Sequence, residues 1–184
     1  MKPLIVLDRD GVINVDRDDY IRNLEQWIPI PGSIEAIAKL SRKGWQIYIA
    51  TNQSGIGRGF YSEAVLRAIH ERLRTLVHEH GGFIEGIVWC PHTPEANCHC
   101  RKPQTGLLTI IQAMSGQALA GHPLVGDSLR DLQTATAKGM LPFLVQTGKG
   151  QLTEKALQQP ENQALGPVSV WPDLAAVADY LLQS

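Results

Sequence analysis

The sequence predicts a single α/β domain of three layers, a parallel sheet with helices packed on both faces. Three observations carry this. Short apolar runs alternate with segments of helical periodicity along nearly the whole chain. The runs are near-continuous, as strands covered on both faces must be, rather than alternating with polar residues. And 184 residues are enough for one substantial core but too few for two comfortable ones.

The first strand is "PLIVLD". "PGSIEAIAKLSRKG" (31–44) follows as a helix, with Ser33 at its start, Ile34, Ile37, Ala38 and Leu40 at helical spacing, and Gly44 at its end. "WQIYIATN" is the second strand. The longer helix "SEAVLRAIHERLRTLVHEHGG" takes Ser62 as N-cap, turns Val65, Leu66, Ile69, Leu73 and Leu76 inward, and stops at glycines. Its histidines His70, His78 and His80 then fall on the polar side or at the end, and read as solvated. "IEGIVWCP" is the third strand and "TGLLTIIQAMSGQ" the next helix. "HPLVGDS" ends the fourth strand, "LRDLQTATAKG" is a helix, and "LPFLVQTG" the fifth strand. Residues 149–167 are polar, with Gln, Pro and Gly, and read as a mobile surface segment. "VSVWPDLAAVADYLLQ" reads as a short strand and a closing helix.

A composition of 43% hydrophobic and 19% charged residues is ordinary for a soluble globular chain. A formal net charge of -1 gives no electrostatic footprint for nucleic acid or an anionic membrane. No run approaches the roughly 20 apolar residues of a membrane span, and the N-terminus is unlike a secretory signal. The expectation is a cytoplasmic protein that binds neither nucleic acid nor membrane. With no amphipathic face left over, it is expected to be a monomer.

In such a sheet, ligands bind beyond the carboxyl ends of the strands. Those ends carry Asp8 and Asp10, Thr51 and Asn52, Cys90, and Asp127. "DRDG" alone is also what a turn looks like. Its second reading comes from "VGDSLRD", which brings Asp127 to another strand end and Asp131 to the following turn, with Asp127 or Ser128 also available as a helix cap. Carboxylates from two such loops, with one backbone carbonyl, make an oxygen-rich site suited to Mg²⁺. The Thr51 hydroxyl and the backbone amides of the glycine-rich "ATNQSGIGRG" can hold phosphate oxygens. Its glycines fit neither a dinucleotide fingerprint nor a P-loop. In "CRKPQTG", Lys102 can neutralise a phosphoryl group and Arg101 can grip a second anion. These parts together define phosphoryl transfer to an aspartate, with Asp8 in the nucleophile's position and Asp10 in that of the acid/base.

Three cysteines lie within residues 90–100, an odd count that argues against a disulfide framework. "CPHTPEANCHC" supplies Cys90, His92, Cys98 and Cys100, a set suited to tetrahedral structural Zn²⁺ with no open position. His99 would crowd a Cys-His-Cys run, so His92 is the preferred nitrogen ligand. The metal would staple the loop and fix Arg101 and Lys102 directly after the last ligand.

Here the chain resembles the haloacid dehalogenase-type phosphatases. Their four motifs occur in order as "DRDG" (8–11), "TNQ" (51–53), Lys102 and "GDSLRD" (126–131), over residues 4 to about 147. The resemblance implies a Rossmann-like fold of that family, Asp8 as nucleophile, Asp10 as acid/base, Thr51 and Lys102 as phosphoryl ligands, and Mg²⁺ on Asp8, the Asp10 carbonyl and Asp127. The intervals between motifs leave no room for a large cap, so an open site shaped by loops at 14–30, 53–61 and 90–102 is expected. The zinc loop narrows the resemblance to two branches, the D,D-heptose 1,7-bisphosphate phosphatases and the histidinol-phosphate phosphatases. "DRDGVIN", "TNQSGIGRG" and "CRKP" look most like the heptose branch, although some of its members carry lysine where this chain has Ser128. That branch implies removal of a 7-phosphate from a small phosphorylated sugar, leaving heptose 1-phosphate for nucleotide-activated heptose synthesis toward lipopolysaccharide core. It implies a substrate loop with Asn14, Asp16, Arg17, Asp18 and Asp19, and contacts from Asn52, Gln53 and Ser54. Arg101, with Arg58 or Arg17 behind it, would hold the phosphate that remains. A zinc-binding interaction module is the non-enzymatic alternative; it accounts for the cysteines but not for Asp8, Asp10, Thr51, Lys102 and Asp127. A nucleic-acid 3′-phosphatase shares the chemistry but lacks a basic aromatic face here.

Overall fold

Strand β1 (Leu4–Leu7) is buried along its whole length, and its alternate side chains enter two separate cores. Ile5 and Leu7 join one, Leu4 and Val6 the other. A strand with two apolar faces needs cover on both sides. The computed structural model, which describes residues 2–183, supplies it. β1 pairs in parallel with β2 (Gln46–Asn52) on one side and β4 (Pro123–Gly126) on the other. With β3 (Gly86–Cys90), β5 (Leu141–Val145) and β6 (Ser169–Trp171) they form one six-stranded parallel sheet, ordered β3-β2-β1-β4-β5-β6.

On one face lie α1 (Ser33–Arg42), α3 (Glu63–Glu79) and α7 (Leu174–Gln183), which contribute Ile34 and Leu40, Ile69 and Leu73, and Leu174 and Val177 to the core. On the other face α4 (Gly106–Ser115) packs Leu107, Leu108 and Ile111, and α5 (Leu129–Ala137) packs Ala135. The expected three-layer α/β/α fold without a large cap is thus observed. Ser62 caps α3, its hydroxyl accepting from the Val65 amide at 3.3 Å. Ser33 opens α1, but its hydroxyl donates to the Ile13 carbonyl at 2.6 Å and so ties the helix to the loop after β1.

Two expectations need correction. Residues 149–167 carry α6 (Gly150–Ala156) and a 3₁₀ turn (Pro160–Leu165). Thr153 of α6 is buried and donates to the Asp127 carbonyl at 2.7 Å, which fixes this helix under the site, while residues 157–167 stay on the surface as expected. His70 is not solvated: it is 5% exposed, because α3 turns it toward the end of β1 rather than outward. A further short helix, α2 (Ser54–Gly57), follows β2.

Candidate active site

The sheet reverses its order of winding between β1 and β4, and chains diverging there leave a crevice at their carboxyl ends. Asp8 leaves β1 with its amide donating to Val125 of β4 at 2.9 Å, and Asp127 follows the last residue of β4. Two loops crowd the Asp127 carboxylate. A Cβ at Gly11 (φ +82°) would lie 2.1 Å from its Oδ2, and one at Gly148 (φ +58°) would lie 2.2 Å away. Only glycine permits this approach.

The acids fall into two groups. In the first, Lys102 is buried with its Nζ 2.9 Å from Asp8 Oδ1, 2.5 Å from Asp131 Oδ1 and 2.8 Å from the Ala50 carbonyl. Burial alone would lower the lysine's proton affinity, but Asp131 and Asp8 outweigh it and hold the ammonium. Asp8, Asp127 and Asp131 each offer an oxygen within 4.8 Å of the others. One ammonium does not balance them. Burial, then Asp131, push Asp8 well above the ordinary carboxylate range. The same causes push Asp127 up to about 7.

The second group is held apart from the first. Both oxygens of Asp10 are occupied: Arg9 Nη2 donates to Oδ1 and Oδ2 at 2.9 and 3.1 Å, Asn14 Nδ2 to Oδ1 at 2.9 Å, and Gln53 Nε2 to Oδ2 at 2.9 Å. Burial would raise Asp10, but Arg9 and these donors prevail and keep it below its usual range. Two acids two residues apart thus shift in opposite directions, and Asp8 needs a cation beside it to be held as a carboxylate.

The cleft above is lined by Asp8, Asp10, Thr51, Asn52, Gln53, Ser54, Arg101, Lys102 and Asp127, together with Asp16, Arg17 and Asp18 of the proposed substrate loop. Asn52 spends its amide on Lys102, accepting from the Lys102 amide at 3.0 Å and donating to its carbonyl at 3.1 Å. Asn14 lies beneath the cleft, fully buried, holding Asp10 and donating to the Val15 carbonyl at 3.0 Å. Asp19 faces outward, where Arg17 reaches it at 2.9 Å; both are exposed. Arg58 turns to Glu95 at 3.8 Å, outside the cleft. Tyr20, Tyr61, Arg130 and Lys149 line the cleft without having been expected there. Lys149 donates its amide to Asp127 Oδ2 at 2.8 Å, and its Nζ lies 3.3 Å from Asp16 and 3.5 Å from Asp18. Ser128 caps α5 in a capping box with Asp131, so the acid beside Lys102 is also locked to its own helix.

Both expected metals fit the residues present. Three crowded carboxylates with too little positive charge are a ready site for a hard cation, and Asp8 and Asp127 keep oxygens free of protein donors other than Lys102, Arg9 N and Lys149 N. Asp131 belongs to the same cluster but is engaged by Lys102 and Ser128. In the loop after β3, Cys90 Sγ lies 3.5 Å from Cys98 Sγ and 3.2 Å from Cys100 Sγ, with His92 Nδ1 3.5 Å from Cys90 and 3.3 Å from Cys100. Four ligands on a tetrahedral zinc stand about 3.3 to 3.8 Å apart. The four atoms therefore form a slightly contracted shell around one point, and His92 rather than His99 completes it.

A profile of HAD-hydrolase-like proteins matches residues 99–177, and one described as polynucleotide kinase 3 phosphatase matches residues 4–129. The chain is 53% identical to the D-glycero-beta-D-manno-heptose-1,7-bisphosphate 7-phosphatase of Pseudomonas aeruginosa, over 99% of both chains. It is 52% identical to that of Pseudomonas putida, over 97% of this chain and 99% of the other. Its fold is similar to the crystal structure of D,D-heptose 1,7-bisphosphate phosphatase from B. bronchiseptica complexed with magnesium and phosphate, at TM-score 0.91 and 46% identity over 98% of each chain.

Proposed function

The chain belongs to the haloacid dehalogenase-like hydrolases and, within them, to the heptose-1,7-bisphosphate 7-phosphatase family, and from that membership we propose that it removes the 7-phosphate of D-glycero-D-manno-heptose 1,7-bisphosphate by way of a phosphorylated Asp8. The observation that carries this reading is the division of the acids. Asp8 faces the cleft beside the Lys102 ammonium, while Asp10 is kept in a separate hydrogen-bonded cluster.

Asp8 attacks the phosphorus, and the bond from phosphorus to the C7 oxygen breaks as protonated Asp10 gives that oxygen its proton. The products of this step are heptose 1-phosphate and an acyl phosphate on Asp8. Water then attacks the same phosphorus, Asp10 takes the water's proton, and inorganic phosphate leaves a free Asp8. Asp10 is disposed to be ionised at rest; a phosphoryl dianion docking beside it raises its proton affinity, as any like charge does. Lys102 and Thr51 would take the phosphoryl oxygens. Mg²⁺, held by Asp8, Asp127 and the Asp10 carbonyl, would supply neutralisation of charge on the phosphoryl group when bound. Zn²⁺ on Cys90, His92, Cys98 and Cys100 would supply rigidity to the loop that carries Arg101 and Lys102.

Arg101 and Arg130 both border the cleft, and burial together with Arg130 lowers the proton affinity of Arg101. An anion held between them would offset their like charges, and this is the place proposed for the retained 1-phosphate. Asp16 and Asp18 would accept from sugar hydroxyls. The phosphatase is read as one domain working as a cytoplasmic monomer on a small sugar phosphate, without nucleic acid or membrane. In support, net charge is -1, and among the described residues no helix is long and apolar enough to cross a membrane.

Phosphate release from both anomers of the heptose bisphosphate and from histidinol phosphate tests the substrate. Histidinol phosphate brings an ammonium where the bisphosphate brings a second anion, so the arginine pair should disfavour it by about 100-fold or more in kcat/KM. Equal or better turnover of histidinol phosphate would overturn the heptose reading while leaving the chemistry intact.

A further inference from the structure

Arg9 is 1% exposed, and the reaction above gives it no chemical task. A charge so buried is costly unless its donors are used. Here they are: Nε and Nη2 fork onto Asp10 at 3.1 and 2.9 Å, Nη2 also reaches Gln53 Oε1 at 3.2 Å, and Nη1 meets His70 Nε2 at 3.2 Å. His70 is held neutral, its pKa lowered to about 3 by burial and then by Arg9 itself. Its Nε2 therefore accepts from the guanidinium. Gln53 closes the arrangement from the other side. Its amide nitrogen donates to Asp10 Oδ2 at 2.9 Å and Thr51 Oγ1 at 2.8 Å, and its oxygen accepts from the Tyr61 hydroxyl at 2.6 Å. The Tyr61 ring is fixed in turn: a Cβ at Gly55 would lie 2.2 Å from it.

A carboxyl that must pass a proton to one oxygen and take it from another is useful only while it stays in place; a displacement of about 1 Å can cost about 100-fold. Among the described residues the cleft has no large cap domain to hold Asp10 from above. We propose that Arg9 is the positioning residue for Asp10, braced from behind by His70 and from the side by the Gln53–Tyr61 pair, so that the floor of the site orients its own acid/base. This rests on the reading of Asp10 as that acid/base.

The test uses leaving groups. An alkoxide such as the C7 oxygen needs a proton to depart, whereas p-nitrophenolate does not. Single-turnover phosphorylation of the enzyme is measured with the heptose bisphosphate and, as a phenolate burst, with p-nitrophenyl phosphate, in the wild type, Asp10→Asn, Arg9→Lys and Tyr61→Phe. Asp10→Asn sets the scale and should lose about 100-fold or more on the sugar relative to the phenolate. Arg9→Lys keeps the charge but loses the fork; it should show the same selectivity at about 10-fold or more, and Tyr61→Phe about 3-fold or more. Equal losses on both substrates in Arg9→Lys, or no loss at all, would overturn the proposal. If that variant does not fold, Tyr61→Phe decides on the same criterion. If Asp10→Asn itself shows no selectivity, the acid/base reading beneath the proposal fails instead.

Discussion

Without Mg²⁺, Asp127 should make a contribution to stability that is lost as pH rises through the acid-to-neutral range. Asp127 is pushed up to about 7, first by burial and then by Asp131, whereas an ordinary carboxyl lies at 3.8. Between those values the folded chain keeps a proton that the unfolded chain has lost. The Asp127 contribution is therefore full below about pH 4, falls as pH rises, and is lost above about pH 7. A shift from 3.8 to about 7 corresponds to about 4 kcal/mol, or roughly 10 °C in Tm for a chain of this size. Asp8 is raised by the same causes and adds with the same sign; Asp10 is lowered, acts below about pH 4 and leaves this window untouched. His70, lowered to about 3 by burial and Arg9, acts with the opposite sign up to about pH 6.5, so the Asp127 contribution is read as the difference between the wild type and Asp127→Asn. A cation between Asp8 and Asp127 takes the place of the proton, so saturating Mg²⁺ should flatten the decline. The assay is thermal unfolding between about pH 5 and 8, with Mg²⁺ omitted by dialysis rather than chelated so that the cysteine loop keeps its metal. Relative to Asp127→Asn, the wild-type Tm should fall as pH rises across this range. A metal-free wild-type Tm that does not fall relative to that of Asp127→Asn would refute the reasoning.

Two further perturbations probe the supports of the site. Cys98→Ser should release the 90–100 loop, lowering stability by about 3 kcal/mol or more and reducing kcat with Mg²⁺ still saturating, because Lys102 follows the loop directly. Unfolding curves and steady-state rates check this, with bound zinc measured by atomic absorption. Gly11→Ala drives a methyl to 2.1 Å from Asp127 Oδ2 at a φ of +82°; it should destabilise by about 2 kcal/mol or more and raise the Mg²⁺ needed for half-maximal activity at least about 10-fold. A Mg²⁺ titration of the rate reads the second effect.

Much of the fold was legible because its strands are apolar on both faces and its helices carry clear caps, as Ser62 shows. The acids of the cleft were legible for a related reason: carboxylates at the ends of buried strands have no packing role to disguise them. Segment 149–167 was misread because its helix buries little, only Gly150 and Thr153, and its ties to Asp127 are single hydrogen bonds that leave no periodicity. Lys149 went unseen with it. His70 was misread because its neighbours on α3 are charged, and the guanidinium that claims it lies 61 positions away in sequence. Asn14 and Asp19, both expected to meet substrate, differ by which way the loop turns: one runs under Asp10 and the other out to Arg17. Arg9 did carry a signal, an arginine between two acids at the end of a strand with no solvent side.

The most direct test of the proposed chemistry is to quench the reaction in acid during turnover of heptose bisphosphate labelled with ³²P at C7 and locate the label. It should be found on the protein as an acid-stable, alkali-labile acyl phosphate at Asp8, convertible by borohydride to homoserine at that position, and be absent from Asp8→Asn, which should release no phosphate. Phosphate release at the full rate with no label on the protein, or label on another residue, would contradict Asp8 as the nucleophile.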